Sequence, residues 1–176
     1  SFSFIGPEWL YGSASPFEDK MVFTIKTKTN PEAAIWLFEI DANKFTQLVP
    51  GLFPDILDDK IVYCTPKSGN YDIWKMELEG NSIFKETQLT YHEGWDYDPA
   101  WSPDGSKIAF VSHRSGNSDI WVMDSDGTNE MQVTFHPLAD RRPQWIDDQT
   151  LVFQSNRELD KDEDPQWDIW QIKISE

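Results

Sequence analysis

Cysteine, long apolar runs and positive charge are all scarce in this sequence. Its 176 residues include one cysteine, Cys64, which excludes an internal disulfide and a thiolate metal cluster. No apolar run approaches the roughly 20 residues that a membrane-spanning helix needs. With 15 Lys and Arg against 31 Asp and Glu, and no basic stripe, the chain lacks the charge with which proteins bind nucleic-acid phosphates. We therefore expect neither nucleic-acid binding nor membrane insertion.

Helical apolar spacing is also scarce, although 39% of the residues are apolar. This composition, and a length in the range of one domain, predict a single acidic globular domain over residues 1–176. Short segments alternate apolar and polar residues between clusters of Gly, Pro, Asn and Asp, as at Lys107–Ser112 and Thr150–Gln154. Such alternation is typical of β-strands, so we predict an all-β fold.

A repeat of about 45 residues runs through the chain. The Ile-Trp dipeptide occurs four times, and Pro-x-Trp or Pro-x-Ile occurs four times at steps of 47, 45 and 44 residues. The first series is Ile35-Trp36, Ile73-Trp74, Ile120-Trp121 and Ile169-Trp170, and the second begins at Pro7, Pro54, Pro99 and Pro143.

Each unit is predicted to form up to four antiparallel strands, here called a to d. A period of about 40–45 residues with four strands indicates a β-propeller blade. We predict four blades, at approximately 7–49, 50–94, 95–138 and 139–176. Because one such sheet cannot bury its own faces, the repeat tryptophans are predicted to be core. Strand b is predicted at Lys20–Phe23, Lys60–Tyr63, Lys107–Phe110 and Thr150–Phe153, strand d at Phe45–Val49, Phe84–Thr90 and Met131–Phe135, and the core tryptophans are Trp9, Trp36, Trp74, Trp101, Trp121, Trp145 and Trp170.

The fourth unit has no residues for strand d after its strand c at Gln171–Glu176. The alternating segment Ser1–Ile5 could supply the missing strand, because an open edge would otherwise pair with other chains. Three arrangements follow from this. The chain forms a closed four-bladed ring, it is part of a larger propeller, or two chains associate as a homodimer into a larger ring.

The third unit resembles the TolB-type β-propeller repeat. The resemblance rests on Pro99-Ala100-Trp101-Ser102-Pro103-Asp104-Gly105, on Asp119-Ile120-Trp121 and on Asp126-Gly127. The second unit resembles it at Ser68–Trp74, and the first and fourth do so in part. TolB-type propellers usually have six blades, and the bacterial TolB protein has an additional α/β domain, whereas we predict four units and no such domain within these 176 residues. The resemblance implies a propeller fold, a role in binding proteins and a periplasmic or extracytoplasmic location, whereas the residues themselves leave the compartment open.

The b-to-c loops and the d-to-a linkers of a propeller lie on one side, here called the upper face. Residues that the repeat does not explain concentrate there, and Trp95 and Trp167 are the only two tryptophans without repeat partners. The pairs His92/His136 and Asp96/Asp140 on this face are each spaced by 44 residues, so they are either structural caps of the blade junctions or partner contacts. The candidate partner-binding residues are Trp95, Trp167, Arg141, Arg142, Asp96, Asp140, His92, His136, Arg114 and Arg157.

Catalytic signatures are missing. The sequence has no Gly-x-Ser-x-Gly elbow, His-Glu-x-x-His helix or glycine-rich phosphate loop, and the acidic run Asp160–Asp164 has no calcium-loop order. We therefore predict no catalytic residue, metal or cofactor.

The leading hypothesis is a non-enzymatic propeller that binds a protein or peptide partner through its upper face. One alternative is a glycan-acting enzyme or carbohydrate-binding propeller that uses carboxylates at the channel mouth, namely Asp96, Asp98 and Asp140. Another is the propeller domain of a prolyl-oligopeptidase-like peptidase without its catalytic domain.

Overall fold

The computed structural model describes residues 10–26, 32–157 and 167–174. Within these ranges the chain forms fifteen β-strands and one 3-10 turn, Pro66–Ser68. No helix in the described part is long and apolar enough to cross a membrane. The strands are β1 Leu10–Phe17, β2 Lys20–Ile25, β3 Ala34–Glu39, β4 Lys44–Pro50, β5 Leu52–Leu57, β6 Lys60–Thr65, β7 Asp72–Glu79, β8 Ser82–Gln88, β9 Asp96–Trp101, β10 Lys107–Ser112, β11 Asp119–Asp124, β12 Met131–Gln132, β13 Asp140–Asp147, β14 Thr150–Ser155 and β15 Asp168–Lys173.

The strands form four antiparallel sheets in chain order, and these are the blades of a β-propeller. Blade 1 is β1–β4, blade 2 is β5–β8, blade 3 is β9–β12 and blade 4 is β13–β15. The first strand of each blade packs against the first strand of the next, β1 with β5, β5 with β9 and β9 with β13. These first strands therefore line the centre, and the later strands of each blade lie progressively further out.

The four predicted b strands are confirmed, each extending two residues beyond its predicted end. The outer d strands differ in their bounds. In blade 2 the strand begins earlier, at Ser82, and in blade 3 it ends after Gln132 instead of at Phe135. Blade 4 has three strands among the described residues. The fourth strand predicted for it falls on Ser1–Ile5, which lies outside the described residues.

Apolar clusters join each blade to the next. Alternate residues of a strand point to opposite faces of its sheet, so each interior blade contributes one face to each neighbour. Val111 and Ile120 of blade 3 pack with Leu151 and Phe153 of blade 4 in one cluster. The other two clusters join blades 1 and 2 and blades 2 and 3. No apolar cluster in the described part of the chain joins blade 4 to blade 1.

The sequence predicted that the repeat tryptophans are core, but most of them do not stand at the centre of these clusters. Trp101 is buried, but Trp74, Trp121, Trp145 and Trp170 are partly buried at the margins. Trp36 is likewise partly buried, and Trp9 lies outside the described residues. The isoleucines before Trp36, Trp74 and Trp121 are fully buried instead. The reason is that each dipeptide puts its isoleucine towards the next blade and its tryptophan on the opposite face.

Three of the innermost strands carry a left-handed residue at the same position. Phe53, Asp98 and Arg142 have φ angles of 51°, 58° and 52°, which non-glycine residues rarely adopt. The strand pairing is irregular near each of them, between Leu52 and Asp55 in β5, for example. Such bulges re-aim side chains. All three residues line one cavity beside blade 4.

Candidate functional site

Repeated asparagines fix the loops of the upper face. The Asn70 side-chain amide donates hydrogen bonds to the carbonyl oxygens of His92 and Glu93, at 2.9 and 3.1 Å. Asn117 does the same in the next blade, to the His136 and Leu138 carbonyls at 2.8 and 3.2 Å. Each asparagine therefore ties a b-to-c loop to the following d-to-a linker.

The two candidate aspartates form ion pairs inside the protein. Asp96 accepts a hydrogen bond of 2.7 Å from the Arg114 guanidinium, which also pairs with Glu130. Asp140 accepts bonds of 3.0 and 2.9 Å from Arg157. Both aspartates are fully buried, and their arginine side chains are 11% and 20% exposed. These four residues therefore stabilise the upper ends of blades 3 and 4, which agrees with the structural interpretation of the spaced pair.

Burial and hydrogen bonding act in opposite directions on Asp96. Removing the carboxylate from water raises its pKa, and the Ser112 hydrogen bond and the Arg114 charge lower it. Burial prevails, so the pKa of Asp96 lies above its ordinary value. The charged form is held by the ion pair and not by solvent.

The two candidate histidines close turns in the linkers. His92 Nδ1 accepts a hydrogen bond of 2.8 Å from the Gly94 backbone N–H. His136 Nδ1 accepts one of 3.2 Å from the Leu138 N–H. The same local contact in both linkers explains their spacing of 44 residues without a ligand.

An aromatic cluster lies between blades 2 and 3 on the upper face. We define it as Phe53, Tyr71, Trp95, Tyr97 and His113. Trp95 contacts Tyr71 edge-on with ring centres 5.8 Å apart, and stacks on the His113 ring at 6.1 Å. Tyr97 links His113 to Phe53, with ring centres 5.4 and 6.4 Å apart. Trp95 is 53% exposed, so the cluster offers an aromatic surface to solvent.

His113 sits in a small hydrogen-bonded triangle beneath Trp95. Its Nε2 atom lies 2.8 Å from the Ser118 hydroxyl and 3.2 Å from the Tyr97 hydroxyl, and the two hydroxyls are 3.1 Å apart. Burial lowers the pKa of His113, and the nearby charge of Arg141 lowers it further. Ser118 is buried, and no described carboxylate is hydrogen-bonded to His113. The triangle thus lacks the positioned acid of a Ser-His-Asp arrangement.

Arg141 lies beside the second candidate tryptophan. Its guanidinium lies 5.2 Å from the centre of the Trp167 ring, within the range of a cation–π contact. Trp167 is 47% exposed. The positive charge of Arg141 also lowers the pKa of His113 in the aromatic cluster.

Arg142 points to a different place, the cavity at the centre of the propeller. Its backbone N–H donates a hydrogen bond of 3.1 Å to Asp98. The cavity has a volume of about 380 Å³ and is also lined by Phe53, Val152 and Ile169. Burial raises the pKa of Asp98, although Arg142 and Arg141 oppose this effect.

Comparison with known proteins identifies the family. The sequence profile of the tricorn protease N-terminal β-propeller domain matches residues 52–176. The chain belongs to this family. No curated protein matches the sequence.

Solved structures agree with the tricorn-type fold. Putative TolB from Agrobacterium tumefaciens is 23% identical with a TM-score of 0.73, over 89% of this chain and 58% of its own. A puromycin-hydrolysing peptidase from Mycobacterium tuberculosis is 13% identical with a TM-score of 0.71, over 97% of this chain and 28% of its own. The β-propeller domain of the Trilobed protease from Pyrococcus furiosus is 17% identical with a TM-score of 0.61, over 97% and 58%. At these identities the likeness establishes the fold, and the chain spans under two thirds of each relative.

Carboxylates do not converge in the described part of this tricorn-type propeller. Of the three aspartates considered for glycan cleavage, Asp96 and Asp140 are fully buried in ion pairs, and Asp98 alone lines the central cavity. Within residues 10–26, 32–157 and 167–174 no group of His, Cys, Asp or Glu is arranged to hold a metal ion. The acidic run Asp160–Asp164 lies outside those residues.

Sequence reasoning found the exposed tryptophans but missed their neighbours. Tyr71 and Tyr97 lie on the upper face because each stands beside a repeat aspartate, Asp72 or Asp96. The repeat itself indicated this position, because each tyrosine neighbours a buried aspartate at the start of a strand. The position of His113 at the start of a b-to-c loop also indicated this face.

Proposed function

We propose that this chain is a non-enzymatic propeller that binds a protein or peptide partner through its upper face. The contact residues are Trp95, Arg141 and Trp167, together with Arg142 in the central cavity, which adjoins the aromatic cluster at Phe53. The observation that carries the proposal is that two half-exposed tryptophans lie on this face, Trp95 stacked on His113 and Trp167 under the guanidinium of Arg141. Tryptophan and arginine are the residue types that most often dominate binding energy at protein interfaces.

Rigidity supports this assignment. Trp95 is held by ring contacts on both sides, from Tyr71 and His113, so little side-chain entropy is lost when a partner covers it. Arg141 is held over Trp167 yet remains exposed. A guanidinium in this position can bind a partner carboxylate through two parallel hydrogen bonds.

The partner is expected to be a neutral or locally acidic surface. A net charge of −16 repels strongly acidic proteins at long range, so attraction to carboxylates depends on Arg141 and Arg142. Partner binding should therefore weaken as salt is added, because exposed charges are screened.

The test is the double variant Trp95→Ala with Trp167→Ala. We expect proteins captured by the parent chain, identified by quantitative mass spectrometry, to be lost from the variant while its circular dichroism spectrum stays the same. The matched control is Phe84→Ala with Ile146→Ala, which removes two apolar side chains that are 71% and 58% exposed away from the surface described. Unchanged capture by the tryptophan variant, or equal loss in the control, would contradict the proposal.

A second candidate role follows from the family. The matched family is a propeller domain of a protease, and the solved relatives include a peptidase and the propeller domain of another protease, so this chain is also a candidate for the propeller of a larger peptidase. The coding sequence around the segment decides this. A hydrolase domain in the same reading frame would support the peptidase role, and its absence would leave partner binding.

A further inference from the structure

At the start of the innermost strand, blades 3 and 4 have an aspartate where blade 2 has a glycine. Asp96, Asp140 and Gly51 are equivalent because each backbone N–H donates to the carbonyl oxygen of the residue before a c strand. The three distances are 2.8 Å to Tyr71, 2.8 Å to Ser118 and 3.0 Å to Ala33. Blade 2 therefore lacks the buried carboxylate that the later blades contain.

Blade 2 nevertheless has a cationic side chain at the position of the arginines that pair with these aspartates. Arg114 lies 4.6 Å from the centre of the Trp121 ring, and Arg157 lies 4.6 Å from that of Trp170. In blade 2 the Lys67 ammonium lies 4.4 Å from the centre of the Trp74 ring. Lys67 is thus the counterpart of the two arginines, placed over a tryptophan in the same way.

A cleft occupies the junction where the aspartate is missing. It lies between blades 1 and 2, has a volume of about 740 Å³, and is lined by Gly51, Thr65 and Lys67, the counterparts of Asp96, Ser112 and Arg114. Mostly apolar residues complete its wall, among them Leu52 and Phe53. The chain cannot simply fill it with an aspartate at Gly51, because an added Cβ would lie 2.9 Å from Tyr63 Cδ2 and 3.0 Å from the Cys64 carbonyl oxygen.

Charges around the cleft are balanced, unlike those of the whole chain. Lys26 and Lys67 line it together with Glu32 and Glu86. Glu86 accepts hydrogen bonds from Lys67 at 2.9 Å and from the Tyr63 hydroxyl at 2.5 Å. Although burial raises the pKa of Glu86, these two bonds hold it below its ordinary value. A lysine has three donors, so Lys67 can bind a second carboxylate as Arg114 does.

We propose that this cleft binds a carboxylate-bearing peptide, with the ligand carboxylate bound by Lys67 as Asp96 is bound by Arg114 and Asp140 by Arg157 in the later blades. An apolar side chain next to that carboxylate packs on Leu52 and Phe53. The cleft adjoins the aromatic cluster, since Tyr71 lines one and belongs to the other. The inference rests on the proposed function in that it names a chemical feature of the partner, an acidic residue next to an apolar one.

The probes are two dipeptides of nearly equal shape, N-acetyl-Leu-Glu-amide and its neutral analogue N-acetyl-Leu-Gln-amide. Amide chemical shifts of the 15N-labelled chain are followed during titration up to about 20 mM peptide, a range suited to millimolar affinity. We expect the acidic peptide to shift the resonances of Gly51, Leu52 and Lys67, and to bind about ten-fold more tightly than the neutral one, as for a charge-assisted hydrogen bond.

Lysine variants locate the interaction. Lys67→Met should remove the preference for the acidic peptide, and Lys67→Arg should keep it. The matched control is Lys85→Met, which removes another exposed lysine that pairs with a glutamate, Glu77. If Lys67→Met does not fold, a Lys67→Gln variant gives the same comparison, with the circular dichroism spectrum as the check.

Three results would overturn the cleft proposal. These are equal binding of the two peptides, undiminished preference after Lys67→Met, and no shift at the cleft up to the highest concentration. Any of them, together with partner loss in the Trp95 and Trp167 variant, refutes the cleft and leaves the upper-face proposal standing. If the acidic peptide instead binds the cleft as expected and the tryptophan variant keeps its partners, only the upper-face contact residues are refuted.

Discussion

Ile120 in blade 3 and Ile169 in blade 4 occupy the same position of the repeat but meet different surroundings. Ile120 is fully buried, whereas Ile169 is 79% exposed. Blade 4 covers the face of blade 3 that carries Ile120, and no described residue covers the matching face of blade 4 in the same way. The burial of a repeat position is therefore decided by the neighbouring blade and not by the sequence of the blade itself.

The opposite faces of the two blades are alike. Trp121 and Trp170 each carry a guanidinium group at 4.6 Å, and each of those arginines pairs with a buried aspartate. Trp170 also packs against the apolar cluster that joins blade 4 to blade 3. Blade 4 therefore packs against the preceding blade, while its opposite face, which carries Ile169, is exposed among the described residues.

The largest expected effect concerns the buried Asp–Arg ion pair that blades 3 and 4 each contain. Asp96→Ala leaves Arg114 poorly solvated with only Glu130 to bind, so it should reduce the free energy of unfolding by about 3–5 kcal/mol. Chemical denaturation measures the change. Asp124→Ala serves as the control, because it removes an ion pair with the exposed Lys107 and should cost far less. Equal losses would mean that burial does not distinguish the two pairs.

The isoleucine pair tests the comparison directly. Ile120→Ala removes a fully buried side chain and should cost about 2–5 kcal/mol of unfolding free energy. Ile169→Ala removes an exposed one and should change it by less than about 0.5 kcal/mol. A large loss for Ile169→Ala would show that another part of the chain, or a second copy, covers blade 4 in solution.

A smaller effect is expected from pH at the upper face. His113 has a pKa below its usual value, so the folded state favours its neutral form. Its contribution to stability is complete above the unfolded pKa of about 6.5 and is lost as the pH falls through that value towards the folded pKa. Asn156 stands at the corresponding position of blade 4. His113→Asn should therefore reduce the loss of stability between neutral and mildly acidic pH in denaturation curves, and an unchanged pH profile would contradict this origin.

The smallest effect is local to the outer edge of blade 4. If Ser1–Ile5 pairs with β15, as the sequence predicts, deleting these residues should speed hydrogen exchange at alternate β15 amides and leave β11 unchanged. Exchange measured residue by residue by NMR tests this. Identical β15 rates in the full and shortened chains would remove Ser1–Ile5 as the fourth strand.

The repeat made most of the fold predictable from the sequence. The segment Lys107–Ser112 forms a strand as predicted, but its residues from Ile108 onward are all buried instead of alternating, so the apolar run between turn residues was the better indication. The period then fixed the number of blades. The half-buried tryptophans were not predictable from the period alone, since periodicity shows that a residue recurs and not which side of the sheet covers it.

The candidate site was predictable only where residues depart from the repeat. Trp95 and Trp167 were recognised as exposed extras, and both lie on the surface. The burial of Asp96 and Asp140 depends on arginines about 17 residues further along the chain, and single-sequence spacing does not report such a contact. The equivalence of Gly51 with Asp96 and Asp140 follows from their matching backbone hydrogen bonds and not from a shared residue type.

The left-handed residues of the inner strands have a consequence for redesign. Phe53, Asp98 and Arg142 hold the same backbone position, yet one is aromatic, one acidic and one basic. All three side chains border the central cavity, but Phe53 also packs against the apolar cluster between blades 2 and 3, and Asp98 accepts the Arg142 backbone N–H. The Arg142 side chain is exposed, so at this position the backbone bend separates the chemistry of the opening from the stability of the blades. Replacing Arg142 by Asn or Asp, which tolerate a left-handed backbone, should change the charge of the central opening while the framework around it stays as it is.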